Sequence, residues 1–402
     1  MKKILLLNDH AHFGGGGDAV LNLEIEFLKR RGFDVYTLSF GENDSFDGSN
    51  FIVEEPQKRV HSKLYKFVYA GEISKKVSQI ISDINPSLIH IHLISKFPLG
   101  VYNISELKHI PVVQTLHGPN LFCASSWGGL KNSESCEMGI GSKCFSRNCV
   151  SALDSLLYWQ LSKRYEDGLS KNVDYFHCPS KFIENAINAL GFSNSIYIPL
   201  GIDPFFMEHE LPVKTKHVRP TILFIGQINK VKGIDLLLPA LEMVMTKIPN
   251  VLLRIAGRGI ALNGLKEKVR ELNLEDNVEF LGFVGRDRIK DFYASGDLLL
   301  MPSIWHEQFG LIGPEAMSQG IPAIGSNIGG IPEWLYHDQH GYLFPPGDVE
   351  HMAKYIIKLL EDEALRASFG EACRNFAVNN HSPFDYESRM VALFNDLIDR
   401  YD

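Results

Sequence analysis

Short apolar runs alternate with longer stretches of helical spacing along the whole chain. Lys3 to Asn8 reads as a strand, HAHFGGGGDAV as a turn, and Leu21 to Arg31 as a helix that stops at Gly32. Asp34 to Ser39 is a second strand, and the polar run from Gly41 to Gln57 reads as loop. SLIHIHLIS, Ser87 to Ser95, alternates with period two, which puts His90 and His92 on one face of a strand. PVVQTLHGPN is a buried strand whose end carries His117 and Gly118. Leu153 to Leu169 has helical spacing, VDYFHCPS reads as a strand, and IYIPLGIDP as the last strand of the first half. Glu208 to Pro220, with two prolines and mixed charge, reads as a linker. After it the same logic returns in TILFIGQINKVKGIDLLLPAL, VLLRIAGRG and NVEFLGFV, and helical patterns close the chain from Val349. Strand and helix alternating in both halves predict two doubly wound α/β domains.

The most informative stretch is Asp297 to Gly320, DLLLMPSIWHEQFGLIGPEAMSQG. Leu298 to Met301 reads as a buried strand closed by Pro302, and Pro314 sits where a helix would start. Glu307 lies in the intervening turn and Glu315 one residue into the helix, with Phe309, Gly310 and Leu311 between them. Ligands of open α/β sheets bind beyond the carboxyl ends of strands, where a helix start offers N–H groups to an anion. A carboxylate just inside that helix suits vicinal hydroxyls, and one on the turn suits a second polyol. Two polyols flanking a diphosphate describe a nucleotide sugar.

Composition narrows the classes. A chain of 402 residues is expected to form two domains, because single cores stop growing near about 250–300 residues. The net charge of −8 argues against nucleic-acid partners, leaving only local basic patches. One such patch alternates Arg59, Lys63, Lys66, Lys75 and Lys76 with Tyr65, Phe67 and Tyr69 at helical spacing, a surface suited to peripheral contact with anionic lipid. A solvated helix face is the simpler explanation and is favoured over lipid contact. The apolar run after Met1, Lys2 and Lys3 is too short for a secretory signal, and nowhere do 18 apolar residues run together, so a cytoplasmic protein, with the inner membrane face as a peripheral location, is expected. Cys123, Cys136, Cys144 and Cys149 crowd one Gly- and Ser-rich segment. Their spacings lack a paired C-x-x-C, so reduced thiols in a lid-like insertion are favoured over a structural metal.

The paired glutamates in EQFGLIGPE, Glu307 to Glu315, resemble the signature of the family-4 retaining glycosyltransferases of GT-B architecture. Further motifs fall in the same order. A glycine pair, Gly15 and Gly16, follows the first strand, and His117 with Gly118 resembles a T-x-H-[GD] motif. IPLGID resembles a hinge motif with Leu200 in place of the usual Asn, and Lys232 with Gly233 resembles the end of a G-R-x-x-x-x-K-G motif. The closing blocks run from Ile321 to Asp348 and include Gly329, Gly330 and Glu333.

The resemblance implies two Rossmann-like domains facing a central cleft. Residues 1–207 would form the acceptor-side domain, with a final helix at about 384–402 packing back on it, and residues 208–383 would bind the nucleotide sugar. It implies transfer of a sugar from UDP or GDP to an acceptor hydroxyl with retention, by front-face substitution in which the leaving diphosphate takes the acceptor proton. Lys232 and the Gly15–Gly16 turn would balance the diphosphate, Glu315 would hold the ribose, Glu307 the donor sugar, and His117 would position the reaction centre. Phe309, Gly310, Leu311 and the backbone around Gly282 would line the nucleotide. No metal is implied, there being no D-x-D motif, and the acceptor would be a glycan, a lipid-linked sugar or a small molecule. One departure stands out: Gln227 occupies the place of the family arginine, with Lys230 and Arg258 as replacement cations. That departure suggests one rival reading, a non-catalytic nucleotide-sugar-binding subunit, and a GT-B nucleotide-sugar epimerase is a second rival.

Overall fold

A computed structural model describes the chain apart from residues 10–14, 42–49, 55–69, 94–96, 98, 119–129, 132–133, 136–141, 148–167 and 208–218. It divides into two compact units. The first comprises Met1–Gly128, Glu137–Pro199 and Phe384–Asp402, and the second Gly129–Cys136 and Leu200–Pro383.

The first unit is built on seven strands: β1 (Lys3–Asn8), β2 (Asp34–Gly41), β3 (Asn50–Glu54), β4 (Leu88–Ile91), β5 (Val112–Thr115), β8 (Tyr175–Cys178) and β9 (Ser195–Tyr197). All pair in parallel, in the order β3-β2-β1-β4-β5-β8-β9. Between β5 and β8 lie the two-residue strands β6 (Leu130–Lys131) and β7 (Glu134–Ser135), which form a minimal hairpin. Helix α1 (Gly16–Arg30) buries Val20, Leu21, Leu23, Phe27 and Leu28, and α2 (Ala70–Ile84) buries Ile73, Val77, Ile81 and Ile84. The final helix belongs to this unit: Glu387 takes ion pairs from Arg30 and from Arg31, the latter at 2.5 Å, and Lys2 meets Asp399 at 2.8 Å.

The second unit has six parallel strands, β10 (Thr221–Ile225), β11 (Leu252–Ala256), β12 (Val278–Gly282), β13 (Leu298–Met301), β14 (Ala323–Ser326) and β15 (Gly341–Phe344), ordered β12-β11-β10-β13-β14-β15. It has its own core, from Ile222 and Phe224 through Leu298 to Phe369. Both units are Rossmann-like, and in both the strand order reverses at one point, between β1 and β4 and between β10 and β13, where such sheets bind ligands.

Three details differ from the sequence-based expectations. The polar run from Gly41 to Gln57 contains β3, a short edge strand paired to β2 from Thr37↔Asn50 to Gly41↔Glu54. Five residues, flanked by polar sequence, carry too little periodicity to stand out. Helix α1 begins at Gly16, inside the glycine run, with Asp18 in its first turn complementing the dipole. The helix after β13 begins at Ile312 rather than Pro314. Proline is tolerated there because a first-turn residue needs no N–H bond, and Glu315 is therefore the fourth helical residue.

Candidate functional site

At the reversal point of the C-terminal unit, the chain leaving β10 turns through Gly226 and Gln227 and makes a short 3-10 turn, Lys230–Lys232. Asn229 caps this turn by accepting from the Lys232 N–H at 3.2 Å. Gly233 follows with φ +73, and a Cβ there would fall 1.8 Å from the carbonyl oxygen of Pro302. Only glycine lets this turn press on the end of β13. The Ile304 N–H donates to the Val231 carbonyl at 2.9 Å and locks the two loops together.

Across that contact Lys232 Nζ donates to Glu307 Oε1 at 2.6 Å, Ser303 Oγ donates to the same oxygen at 2.6 Å, and the ammonium lies 5.1 Å from the Trp305 ring centre. Glu307 is 5% exposed. Burial alone would raise its pKa, but Lys232 and the hydrogen bond from Ser303 outweigh it and hold the carboxylate ionised, below the usual range. Ser303 and Trp305 escaped the sequence reading because the turn has no periodicity to rank them.

A second loop lies under Glu307. Gly330 N–H donates to the Glu307 carbonyl at 2.8 Å, and Gly329 has φ +60 with a Cβ position only 2.3 Å from that oxygen. The glycine pair is thus the backbone bed on which Glu307 rests.

Phe309 is buried, its ring centre 5.2 Å from that of His381 in an edge-to-face arrangement. Its carbonyl accepts from Trp334 Nε1 at 2.6 Å, Gly310 turns the chain with φ +84, and Leu311 caps α8 (Ile312–Ser318). Glu315, half-buried, accepts from the Tyr293 hydroxyl at 3.2 Å; burial pushes its pKa up to about 8. At neutral pH this carboxyl is therefore largely protonated until something supplies donors to it.

Gln227 is exposed, its side-chain oxygen accepting from Asn229 Nδ2 at 3.1 Å. Of the replacement cations, Lys230 reaches Asp235 at 4.0 Å and Arg258 lies 5.2 Å from the Phe283 ring centre. Gly282 ends β12 with φ +68 and accepts from the Gly257 N–H at 2.7 Å.

The N-terminal unit presents a different site. A Cβ would meet nothing within 4 Å at Gly15 or Gly16, whereas at Gly17 it would lie 3.5 Å from His117 Cγ and 2.9 Å from Leu93 Cδ1. His117 follows β5, and its Nε2 is 2.9 Å from His92 Nδ1, the two rings stacked at 17°. Behind them lie three groups not singled out by sequence. Glu24 Oε1 is 2.5 Å from His90 Nδ1, and Thr115 Oγ1 bridges His90 Nε2 at 2.7 Å and His177 Nδ1 at 2.8 Å. His177 Nε2 meets the Ile198 carbonyl at 2.8 Å. The Phe394 ring packs edge-to-face with that of His90, their centres 5.2 Å apart.

Burial lowers His177 to about 3 and lowers His117 well below the ordinary imidazole value, with neighbouring His92 adding to the effect on His117. Burial opposes the charge of Glu24, but His90 and His92 more than offset it and keep its pKa below the usual range. A signal for Glu24 existed: it falls in the apolar stripe of α1, with Val20 before it and Phe27 and Leu28 after it.

Among the described residues, Glu24, His90 and His92 are the one group whose ligand atoms converge, all within 4.8 Å. The 2.5 Å between Glu24 Oε1 and His90 Nδ1 holds a proton. Ligands bound at about 2.0 Å around a tetrahedral cation stand farther apart. Of the four clustered cysteines, Cys144 is buried in the helix α3 (Ser142–Ser146), and the other three lie outside the described residues. So does the basic patch, except for Lys75 and Lys76 on α2. No helix among the described residues is long and apolar enough to cross a membrane.

Two family models tile the chain: "Glycosyltransferase Family 4" over residues 13–205 and "Glycosyl transferases group 1" over residues 208–376. N-acetyl-alpha-D-glucosaminyl L-malate synthase of Bacillus anthracis is 26% identical over 388 residues, covering 95% of this chain and 94% of that protein. Sucrose-phosphate synthase of Thermosynechococcus elongatus superposes with a TM-score of 0.78 at 20% identity, over the whole of both chains. Anabaena HepE in complex with UDP-glucose superposes with a TM-score of 0.74 at 19% identity, over 98% of this chain and all of that one. Matched in both halves by these models and sharing the fold of these structures, the chain belongs to the family-4 glycosyltransferases of GT-B architecture.

Proposed function

We propose that the protein moves a sugar from a UDP- or GDP-linked donor to an acceptor hydroxyl, with retention at the anomeric carbon, in glycan or glycoconjugate biosynthesis. The observation that carries this reading is the Lys232–Glu307 contact at 2.6 Å, seated at the reversal point of the C-terminal sheet. A cation there can be drawn to the diphosphate as the bond to the sugar breaks, and Glu307, released from it, can accept from donor-sugar hydroxyls. Glu315 accepts from the ribose, the backbone of Phe309, Gly310, Leu311 and Gly282 lines the nucleotide, and His117 positions the sugar. The Gly15–Gly16 turn, open above both glycines, admits a phosphate or an acceptor. Diphosphate charge balanced by side chains and dipoles requires no metal in this scheme.

The donor base is tested first with UDP, because UDP-glucose is the ligand of the HepE structure and the Bacillus relative is named for N-acetylglucosaminyl transfer. The experiment is incubation with radiolabelled UDP- and GDP-sugars and a panel of glycan, lipid-linked and small hydroxylated acceptors. Acceptor-dependent release of nucleotide with an α-linked product supports the reading. Acceptor-free isomerisation would replace it with an epimerase, and binding without turnover with a nucleotide-sugar-binding subunit.

A further inference from the structure

Four contacts in a row join Glu24 Oε1, His90, Thr115, His177 and the Ile198 carbonyl, each between 2.5 and 2.8 Å and all buried. Each needs one hydrogen between its two atoms. An ionised Glu24, a neutral His90, the Thr115 hydroxyl and a neutral His177 bring only three among them. Leaving two lone pairs opposed in a buried site costs about 1–3 kcal/mol, so the chain holds a fourth proton.

The direction follows from the far end. The Ile198 carbonyl can only accept, so His177 donates to it from Nε2 and accepts from Thr115 at Nδ1. Thr115 then accepts from His90 Nε2–H. The fourth proton lies between His90 Nδ1 and Glu24 Oε1, and the network as a whole is uncharged, which is what lets a carboxyl group sit fully buried there.

The other oxygen, Glu24 Oε2, is consequently an acceptor wherever that proton resides. It faces His92 Nε2 at 3.5 Å, and neither atom has a closer hydrogen-bond partner. The favourable arrangement puts the hydrogen of His92 on Nε2. His92 Nδ1 is then bare, and the hydrogen in its 2.9 Å contact with His117 must come from His117 Nε2.

We propose that Glu24 is a positioning residue of the N-terminal site: through His92 it fixes His117 as the Nε2–H tautomer, so that His117 presents a lone pair at Nδ1 and accepts a hydrogen bond from a ligand hydroxyl. The tautomer follows from the geometry; that the hydroxyl belongs to a sugar rests on the transferase reading. Which nitrogen of an imidazole is available is set by what the other one engages. The partner that sets it acts without touching ligand.

The test is long-range proton–nitrogen NMR of histidines in the full-length protein at neutral pH, beside kinetics of two variants. Wild-type His117 should carry its hydrogen on Nε2; a hydrogen on Nδ1 overturns the proposal. Glu24→Gln mimics the protonated carboxyl, its amide hydrogen turned to His90 and its oxygen to His92. It should keep the His117 tautomer and most of kcat, whereas a switch to Nδ1–H would refute the proton count. Glu24→Leu removes the acceptor, so His92 and His117 should populate both tautomers while kcat falls about tenfold and the donor KM stays nearly constant. A folded Glu24→Leu protein with an unmixed Nε2–H His117 also overturns the proposal. If Glu24→Leu does not fold, the wild-type and Gln spectra decide alone. Wild-type protein without transfer to any acceptor, but with the expected tautomer, would remove the transferase reading and leave the tautomer assignment standing.

Discussion

Glu307 in the C-terminal unit and Glu24 in the N-terminal unit are nearly equally buried, 5% and 0% exposed, yet they are balanced by different means. Glu307 is matched by a full cation on a flexible stem, Lys232, itself 23% exposed, with Trp305 under the ammonium. Glu24 is matched by a proton inside a chain of buried imidazoles. In the proposed reaction the first arrangement would open, a bound diphosphate drawing the ammonium away and leaving the carboxylate for sugar hydroxyls. The second is kept shut, because any rearrangement strands a polar atom in the core. The partly exposed pair lies on loops beyond the ends of strands, and the fully buried one lies among the elements of the core.

The largest effect that could break this contrast is on stability. His90→Ala strands Glu24, and thermal or urea unfolding should report a loss of about 3–5 kcal/mol, partly restored in the Glu24→Leu/His90→Ala double variant. Lys232→Ala should cost less, because Ser303 still holds Glu307 and solvent reaches the site. Equal losses would erase the distinction between a sealed and an openable pair.

In activity the order should reverse. Lys232→Ala or Glu307→Gln should each lower transfer at least about tenfold, or about 1.4 kcal/mol of transition-state stabilisation. Near-wild-type rates in both would remove the assignment.

Gly329→Ala sharpens the comparison further. Its Cβ would overlap the Glu307 backbone oxygen and nitrogen, a clash that adds to the cost of about 1–2 kcal/mol for a φ of +60 and should weaken donor binding while leaving the histidine spectra of the other unit unchanged.

The smallest effect is on pH dependence. Glu315 in the folded protein keeps its proton up to about 8, against an ordinary value of 4.5. Between those values the unfolded chain has already released the proton, so this group makes stability fall as pH rises through that window. Ribose hydroxyls donating to Glu315, as proposed, would favour its ionised form. Nucleotide affinity measured by calorimetry should therefore rise with pH toward 8, by at most about tenfold per unit, and Glu315→Gln should flatten the profile.

Much of the fold was legible because burial imposes a period. The runs KILLLN, LIHI, VVQT, TILFI and LLLM, each too apolar to face water on either side, appear as β1, β4, β5, β10 and β13. The five residues of β3 were hidden by polar flanks, and the start of α1 by glycines that read as turn but serve equally well as a helix entrance. The contact between Lys232 and Glu307 joins two readable motifs 75 residues apart. Each was recognisable by itself because each resembles a family motif, and neither motif reveals that the two side chains meet.

Local periodicity and short motifs in the sequence determined most of the strands, and that His117, Lys232, Glu307 and Glu315 lie in the segments that follow strand ends. Only the tertiary structure decided what each touches. Glu24, His90, Thr115 and His177 come from four elements, and their proton count exists only once the sheet brings those side chains within hydrogen-bond reach. The same holds for Gly329 and Gly330, whose lack of a side chain matters because the Glu307 backbone lies on them. Periodicity records which side of an element faces the core, a property of one segment; a hydrogen-bond network is a property of several, and its constraint appears in no single stretch of sequence.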